Sequence, residues 1–293
     1  MRIGLISDCH LENPDELPEI SSLLPPRGSV DAFLVAGDAT NGGDLLRLCR
    51  MIRDELDCPV LVTPGNHEYY HTKAVGISMK ELEDRWRREF ALESDLHFLQ
   101  GDGVAIGDVH FWGSTWWTNF AAMGSDYMQE ALATENMIAD FAIILGCELT
   151  PLEAAQKLNK LNRENGFTRG QKYWQNSGES FHDLLTAKGM IDLNIEAVGR
   201  YKKWYNSTPG KKVLMAHFPM MPELAHGSLP LHPYFVSQNK TIIESYKPDL
   251  LVFGHTHYNH DKEVSGIHCV SNMKVYPTNY PDGHHRPGLI LTI

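Results

Sequence analysis

The chain has 293 residues, of which 42% are hydrophobic and 22% are charged. This composition is that of a globular protein, and it excludes collagen-like, coiled-coil and disordered chains. The formal net charge of −11 disfavours a dedicated binder of duplex nucleic acid, because an acidic protein repels a polyanion.

Five short apolar runs predict the strands of a buried sheet. Continuous runs of this length, each followed by a polar or glycine-containing turn, are typical of strands that are covered on both faces. The runs are Ile3–Ile6, Ala32–Ala36, Val60–Val62, Val213–Ala216 and Leu250–Phe253. Between the second and third runs, apolar residues recur at helical spacing over Asp44–Leu56. Strand, helix and strand at this spacing predict a βαβ unit and a parallel sheet.

The rest of the chain predicts one more helix, two strand clusters and a helical segment. Apolar residues at every fourth position predict a helix over 77–91, and short runs split by glycine predict an antiparallel meander over 96–115. A similar arrangement is expected at Ile267–Val270, Lys274–Tyr276 and Leu289–Ile293. Residues 120–208 have few Gly or Pro, and Thr150-Pro151-Leu152-Glu153 marks a helix start there. We therefore predict a single α/β domain over 1–293, with a helical insertion over 120–208.

Candidate site residues follow each of the five predicted strands. Taken alone, each motif is weak, since Asp-x-His, Gly-Asp and Gly-Asn are common in hydrogen-bonded turns. The strand ends of an open α/β sheet meet at one edge, where ligands bind, so we expect these side chains to lie together. The residues are Asp8 and His10, Asp38, Asn66 and His67, His217, and His255 and His257.

The chemistry of this set predicts a metal centre. Leaving His67 aside, it offers two Asp, one Asn and four His, in a chain with 15 His in all. Oxygen and imidazole ligands without a thiolate favour manganese, iron or zinc. Seven ligands exceed the need of one ion, whereas two ions about 3.5–4 Å apart can share a bridging carboxylate. The set therefore predicts a two-metal site.

In this order, the motifs resemble the five signature blocks of the calcineurin-like metallophosphoesterases. They are Asp8-x-His10, Gly37-Asp38, Gly65-Asn66-His67-Glu68, His217 and Gly254-His255-x-His257. No single block is specific, but their joint occurrence is, and it spans residues 8–257. The resemblance implies a four-layer αββα fold, with two packed mixed sheets flanked by helices. Around Gly113–Thr118 the sequence resembles a bacterial and phage subgroup of the family.

The resemblance also implies a role for each residue. It assigns the ligands of a first metal to Asp8, His10 and His257. It assigns those of a second metal to Asn66, His217 and His255. Asp38 corresponds to the bridging ligand, and a hydroxide shared by the two ions would be the nucleophile. His67 corresponds to the general acid that protonates the leaving group; the alternative is that it only hydrogen-bonds beside the site.

One motif departs from the pattern of many phosphoprotein phosphatases of the family. In those relatives the Gly-Asp block continues to a second Asp, which orients the histidine, and to an Arg, which grips the phosphate. Here Asn41 and Gly42 stand at those positions. Because Asn41 adds no charge, we expect a lower pKa for His67 than beside a carboxylate. The missing Arg disfavours a phosphoprotein phosphatase. Without its bidentate grip, the metals themselves must hold the phosphate.

These inferences predict a cytoplasmic metal-dependent hydrolase of phosphoric esters. It would be a phosphomonoesterase or a phosphodiesterase with a small phosphorylated substrate, and manganese is the preferred metal, with iron and zinc as alternatives. A nuclease on short single strands and a non-catalytic scaffold of the same fold are the alternative functions. The five Cys form no CxxC pair, and no apolar stretch reaches the roughly 18 residues of a membrane span. Both observations favour a reduced protein without a membrane partner.

Overall fold

Two β-sheets packed face to face organise the chain. The computed structural model describes residues 1–11, 20–150, 153, 156, 181–225, 231–274 and 285–293. The strands in these residues are β1 (Arg2–Ile6), β2 (Ala32–Ala36), β3 (Val60–Thr63), β4 (Leu96–Phe98), β5 (Asp102–Ile106), β6 (Val109–Ser114), β7 (Leu145–Leu149), β8 (Phe181–Leu184), β9 (Lys211–Ala216), β10 (Leu250–Phe253), β11 (Asp261–Val264), β12 (Ile267–Ser271) and β13 (Ile290–Thr292). The α-helices are α1 (Leu45–Leu56), α2 (His71–Val75), α3 (Met79–Phe90), α4 (Met128–Ala133), α5 (Asp140–Ile143), α6 (Ala187–Ser207), α7 (His232–Phe235) and α8 (Lys240–Ser245).

The first sheet has the strand order β13-β1-β2-β3-β4. Strands β1 to β4 are parallel, and β13 runs antiparallel to β1 at the edge. Helix α1 connects β2 to β3 and buries the predicted apolar face, which consists of Leu45, Leu48, Cys49, Ile52 and Leu56. The predicted βαβ unit is therefore confirmed.

The second sheet has the strand order β11-β12-β10-β9-β6-β5. Its four central strands are parallel, while β5 and β11 are antiparallel edge strands. The predicted strands β9 and β10 lie at its centre. Both sheets therefore carry their best-predicted apolar runs in the middle, where each strand has a neighbour on either side.

Apolar side chains fill three interfaces between layers. Between the sheets, Leu5 and Leu34 of the first lie in one cluster with Phe111 and Val252 of the second. Helices α1 and α3 cover the outer face of the first sheet, and α6 and α8 cover that of the second. The predicted four-layer αββα fold, with two mixed sheets flanked by helices, is confirmed.

Two predictions about strand pairing are wrong. Residues 96–115 do not form one antiparallel meander, because β4 pairs in parallel with β3 in the first sheet and only β5 and β6 are antiparallel. Near the end of the chain, β12 belongs to the second sheet and β13 to the first. Of Lys274–Tyr276, the structure describes only Lys274, which lies outside a strand. An apolar run shows that a segment is extended and buried, but it does not identify the partner strand.

The described part of the predicted insertion, 120–208, mixes helices with a small sheet. It contains α4, α5 and α6 and the antiparallel pair β7 and β8. The predicted cap is present, because the Thr150 hydroxyl accepts from the Glu153 backbone N–H and the Glu153 carboxylate accepts from that of Thr150. Apart from residues 153 and 156, 151–180 lie outside the described part. Among the described helices, none has the length and apolar character that a bilayer crossing requires.

Candidate metal centre

The ends of five parallel strands meet at one edge of the sandwich, and the predicted site residues lie there. Strands β1, β2 and β3 of the first sheet lead to Asp8, Asp38 and Asn66. Strands β9 and β10 of the second lead to His217 and His255. Because β1 to β3 are parallel to one another, and β9 to β10, their carboxyl ends face the same way within each sheet and bring together residues that are far apart in the chain.

One group of donor atoms comes from the first and last motifs. A carboxylate oxygen of Asp8 and ring nitrogens of His10 and His257 all lie within 4.8 Å of one another. The Nε2 atoms of His10 and His257 are 3.1 Å apart, and Asp8 Oδ1 lies 3.5 Å from His257 Nε2. A neutral imidazole has a lone pair on one ring nitrogen. One carboxylate oxygen and two such nitrogens could therefore bind the same cation.

A second group surrounds His217. Donor atoms of Asp38, His217 and His255 also lie within 4.8 Å of one another. His217 Nδ1 lies 3.0 Å from the Ala36 carbonyl oxygen, which places the proton on that nitrogen. Its Nε2 atom then faces Asp38 Oδ2 at 3.2 Å and Asn66 Oδ1 at 3.1 Å. A ring nitrogen and two oxygens thus converge.

Asp38 lies between the two groups. Together with His10 and His67 it forms a third set of donor atoms within 4.8 Å. Asp38 Oδ1 accepts a hydrogen bond from the His67 backbone N–H at 2.9 Å, and Asp38 Oδ2 lies 4.0 Å from His67 Nε2. The His67 ring packs against Tyr70, with ring centroids 4.4 Å apart. Asp38 is therefore within reach of both groups, with His67 beside them.

The turns that carry these residues are strained. Five site residues have positive φ angles, and all of them lie in the turns that follow β1, β2 and β10. These are Asp8 (51°), His10 (48°), Asp38 (51°), His255 (73°) and His257 (56°). Such conformations cost roughly 1–3 kcal/mol each and are concentrated at functional sites. The side chains are therefore aimed by left-handed turns and not by alternation along a strand.

Close approach of the turns explains the glycines of the motifs. A Cβ atom on Gly65 would lie 2.1 Å from Asp38 Oδ1, and one on Gly254 would lie 2.6 Å from Asp8 Oδ2. Gly37 has a φ of 82°, and a Cβ atom there would lie 2.5 Å from His217 Nδ1. No side chain fits at these positions without moving a candidate ligand.

Glu68 joins two of the turns, a role that the sequence did not indicate although Glu68 belongs to the third motif. Its carboxylate is buried and accepts four backbone N–H hydrogen bonds of 2.7–2.9 Å. The donors are Asp38, Ala39, Thr40 and Gly65. Burial, together with the nearby Asp38 charge, nevertheless raises the pKa of this carboxyl. Glu68 thus fixes the backbone on which Asp38 and Asn66 are carried.

Comparison with known proteins agrees with this geometry. A family model described as calcineurin-like phosphoesterase matches residues 1–259. The chain belongs to this family. As a calcineurin-like phosphoesterase, it is a metal-dependent hydrolase of phosphoric esters.

A solved structure shares the fold of this phosphoesterase. A phosphopantetheinyl hydrolase from Mycobacterium tuberculosis superposes with a TM-score of 0.60 at 16% identity, covering 94% of this chain and 89% of that one. A protein of Thermus thermophilus gives a TM-score of 0.49 at 11% identity, covering 93% and 88%. At these identities the likeness concerns the fold alone. No curated protein matched the sequence.

The donor atoms of this phosphoesterase fit a bound cation. Asp8 Oδ2 and His255 Nε2 are buried, and neither has a hydrogen-bond partner within the part of the chain that is described. An unpaired buried polar atom costs about 1–3 kcal/mol, so both atoms point to a ligand. Burial and the neighbouring His217 also lower the pKa of His255 well below its usual range. Its ring therefore stays neutral and keeps a lone pair for a metal.

Charge at the second group also favours a cation. Burial opposes the ionised form of Asp38, but the His217 and His67 rings more than offset it and hold the pKa of this carboxyl well below its usual range. Burial likewise opposes protonation of His217, yet Asp38 raises the pKa of this imidazole to about 9. Surroundings that stabilise positive charge on His217 also suit a bound cation.

The arginine of related phosphatases has no counterpart here for a steric reason. Gly42 has a φ of 89°, and a Cβ atom there would lie 2.2 Å from the Glu68 carbonyl oxygen. The backbone therefore excludes any side chain at this position. The preceding Asn41 accepts a hydrogen bond from the Gly43 backbone N–H through Oδ1 at 3.2 Å. The lower pKa expected for His67 beside Asn41 stays a prediction.

Proposed function

We propose that this phosphoesterase hydrolyses a small phosphorylated molecule, a monoester or a diester, at a centre of two metal ions. The observation that carries the proposal is the convergence of oxygen and nitrogen donors in two groups, with Asp38 within reach of both. The first ion would be held by Asp8, His10 and His257. The second would be held by Asn66, His217 and His255. Asp38 would contact both ions.

The proposed chemistry divides between the ions and the chain. Bound cations would supply a nucleophile from water near neutral pH and polarise the phosphoryl oxygens. His67 would donate the proton that the leaving group needs. Its side chain is 19% exposed, against 2% for Asp38, so solvent and substrate can reach it. The Tyr70 ring packs against it and restricts its rotation.

Manganese is the metal that we propose, with iron and zinc as alternatives. The donors are carboxylate, amide and imidazole groups. The thiol nearest in sequence, Cys9, lies in the apolar cluster behind the first sheet. Oxygen and nitrogen donors without a thiolate suit these metals.

A small substrate is supported by the backbone at Gly42, which leaves no room for an arginine at that position, and by the net charge of −11. Phosphoproteins and nucleic acid are therefore less suited to the site. The panel for testing the reaction should include phosphomonoesters, phosphodiesters, cyclic nucleotides, phosphopantetheinyl compounds and phosphopeptides.

Chelation is the first test of the reaction. Treatment with EDTA followed by dialysis should abolish hydrolysis of the panel, and Mn²⁺ should restore it. The His217→Ala variant should stay inactive in Mn²⁺. Full activity after chelation and dialysis would contradict the proposal. Cleavage of short oligonucleotides alone would favour the nuclease, and failure to bind any metal would favour the scaffold.

We further propose that residues 120–208 cap the centre within a single domain over 1–293. The support is that α5 belongs to this segment and that Asp140 Oδ1, in α5, accepts a hydrogen bond from Asn66 Nδ2 at 3.1 Å. Replacing 148–182 with a two-residue Asn-Gly turn between Cys147 and Asp183, which pair across β7 and β8, tests the part of the cap beyond α5. Altered selectivity among phosphoesters, with metal binding retained, would support a cap. Unchanged kinetics on every ester would contradict it.

A further inference from the structure

A buried carboxylate outside the five motifs contacts the candidate ligand Asn66. Asp140, in α5, is 1% exposed. Its Oδ1 atom accepts hydrogen bonds from Asn66 Nδ2 at 3.1 Å and from the Tyr70 hydroxyl at 2.8 Å. Its Oδ2 atom accepts from the Tyr234 hydroxyl at 2.6 Å. Nothing in the sequence around Asp140 marks it as a site residue, because its partners lie in two other segments.

This contact decides which end of the Asn66 amide faces the metal centre. The Asp140 oxygens accept hydrogen bonds from two tyrosine hydroxyls, and Oδ1 also faces the amide, so the amide turns its NH₂ group, its only donor, toward Asp140. The amide oxygen then faces His217 Nε2, which lies 3.1 Å away. Only the oxygen can bind a cation, because the amide nitrogen has no available lone pair. Without Asp140, the amide loses the carboxylate acceptor that its NH₂ group faces.

The same carboxylate also holds a neighbour of His67. The Tyr70 hydroxyl donates to Asp140, and the Tyr70 ring packs against the His67 ring at 4.4 Å with an interplanar angle of 33°. One buried group therefore fixes two parts of the site, the amide of Asn66 and the wall beside His67.

We propose that Asp140 is a positioning residue that turns the Asn66 amide oxygen toward the second metal ion and holds Tyr70 against His67. The proposal rests on the proposed function, since it requires Asn66 to be a metal ligand. It assigns to the 120–208 segment a part in metal binding that is separate from substrate selection.

Mn²⁺ binding to Asp140 variants tests this role, with equilibrium dialysis and electron paramagnetic resonance as readouts. The wild type should bind two ions and show the spectrum of a coupled pair. Asp140→Leu and Asp140→Ala should bind the second ion about 10–100-fold more weakly, the usual cost of losing a group that orients a ligand. With one ion bound, their spectra should show the six lines of an isolated Mn²⁺.

Asp140→Asn should rescue binding of the second ion. Its side-chain oxygen can still accept from Asn66 and Tyr70, while its NH₂ group donates to the Tyr234 oxygen. Glu83 provides a matched control, since it accepts from the Tyr69 hydroxyl at 2.6 Å and from Gln100 Nε2 at 3.1 Å in a similar way. Glu83→Leu should lower thermal stability and leave both Mn²⁺ affinities unchanged.

The outcomes separate the two proposals. A folded Asp140→Leu protein that binds both ions as the wild type does would overturn the positioning role. Equal losses in the Asn and Leu variants would also overturn it, because the oxygen at position 140 would then not matter. Where the Leu variant fails to fold, Asp140→Ala decides. A wild-type protein that binds fewer than two ions would overturn the proposed function instead.

Discussion

The two sheets position their donor atoms at the candidate metal centre by different means. Turns of the first sheet present all three oxygen donors together with His10, and the Glu68 carboxylate fixes the turns of Asp38 and Asn66 with four hydrogen bonds. Turns of the second sheet present imidazoles. There the His255 ring packs against Phe218 and Phe235, with centroids 3.8 and 5.1 Å away. A short oxygen ligand is aimed by its backbone, whereas an imidazole has ring faces that apolar packing can hold.

Asp38→Asn should lower activity more than the other variants, since Asp38 lies within reach of both donor groups. A neutral amide would offset little of the charge of two cations, and metal ions supply several kcal/mol of transition-state stabilisation. Because about 1.4 kcal/mol is a tenfold change in rate, we expect kcat/KM to fall by roughly a thousandfold or more. Asp31→Asn, at an exposed ion pair with Arg2, is the control. If Asp38→Asn keeps the wild-type kcat/KM in Mn²⁺, Asp38 is not a ligand of the two ions.

His67→Ala should lower kcat by about 10²–10⁴-fold on alkyl phosphates, the usual contribution of a general acid. The loss should be much smaller on p-nitrophenyl phosphate, whose leaving group departs without a proton. Steady-state kinetics on the two substrates measure the difference. His268→Ala, an exposed residue of β12, is the control. Equal losses on both substrates would assign His67 a role other than proton donation.

Glu68→Gln should weaken metal binding through the first sheet. One oxygen becomes an NH₂ group that faces backbone donors, so we expect a loss of about 1–3 kcal/mol in the free energy of unfolding. Displacement of the turns should weaken Mn²⁺ affinity about 10–100-fold. Dialysis and thermal unfolding measure both quantities. Glu81→Gln, at the cap of α3, should affect stability alone.

Phe218→Leu probes the second sheet and should have a smaller effect. The replacement keeps most of the apolar volume, so the loss of stability should be about 1.5 kcal/mol or less. Tyr234 and Phe235 still pack against His255, and we expect Mn²⁺ affinity to fall by only a few fold. If Phe218→Leu weakens Mn²⁺ binding as much as Glu68→Gln does, the contrast between the sheets is wrong.

Gly199→Ala, in α6, should have the smallest effect on Mn²⁺ affinity and stability, and it serves as the reference for the other variants. A Cβ atom there meets no atom within 4 Å, so the change is free of steric cost. Ala in a helix interior is favoured over Gly by roughly 0.5–1 kcal/mol. Chemical denaturation should show this gain with Mn²⁺ affinity unchanged. A loss of stability would show that α6 tolerates less change than its packing indicates.

Local pattern was sufficient to predict the central strands, helix α1 and the residues that meet at the strand ends. Those residues follow buried runs directly, so their position in the fold follows from the position of the strand. The pairing of β4 and β13 could not be predicted, because it depends on contacts between distant segments. Asp140 was missed for the same reason. The metal-binding and catalytic roles of the predicted residues stay predictions that the variants above will test.

Cys9 gives the first turn a built-in chemical probe. It stands between Asp8 and His10 in sequence, but its thiol is only 4% exposed, and burial raises its pKa well above the usual range. Alkylating reagents react with the thiolate, so labelling requires the turn to open. Once the exposed Cys147 is replaced by Ser, the labelling rate of the peptide that contains Cys9, followed by mass spectrometry, reports that opening separately from the other buried thiols. Slower labelling in the presence of Mn²⁺ would show that metal binding closes the turn.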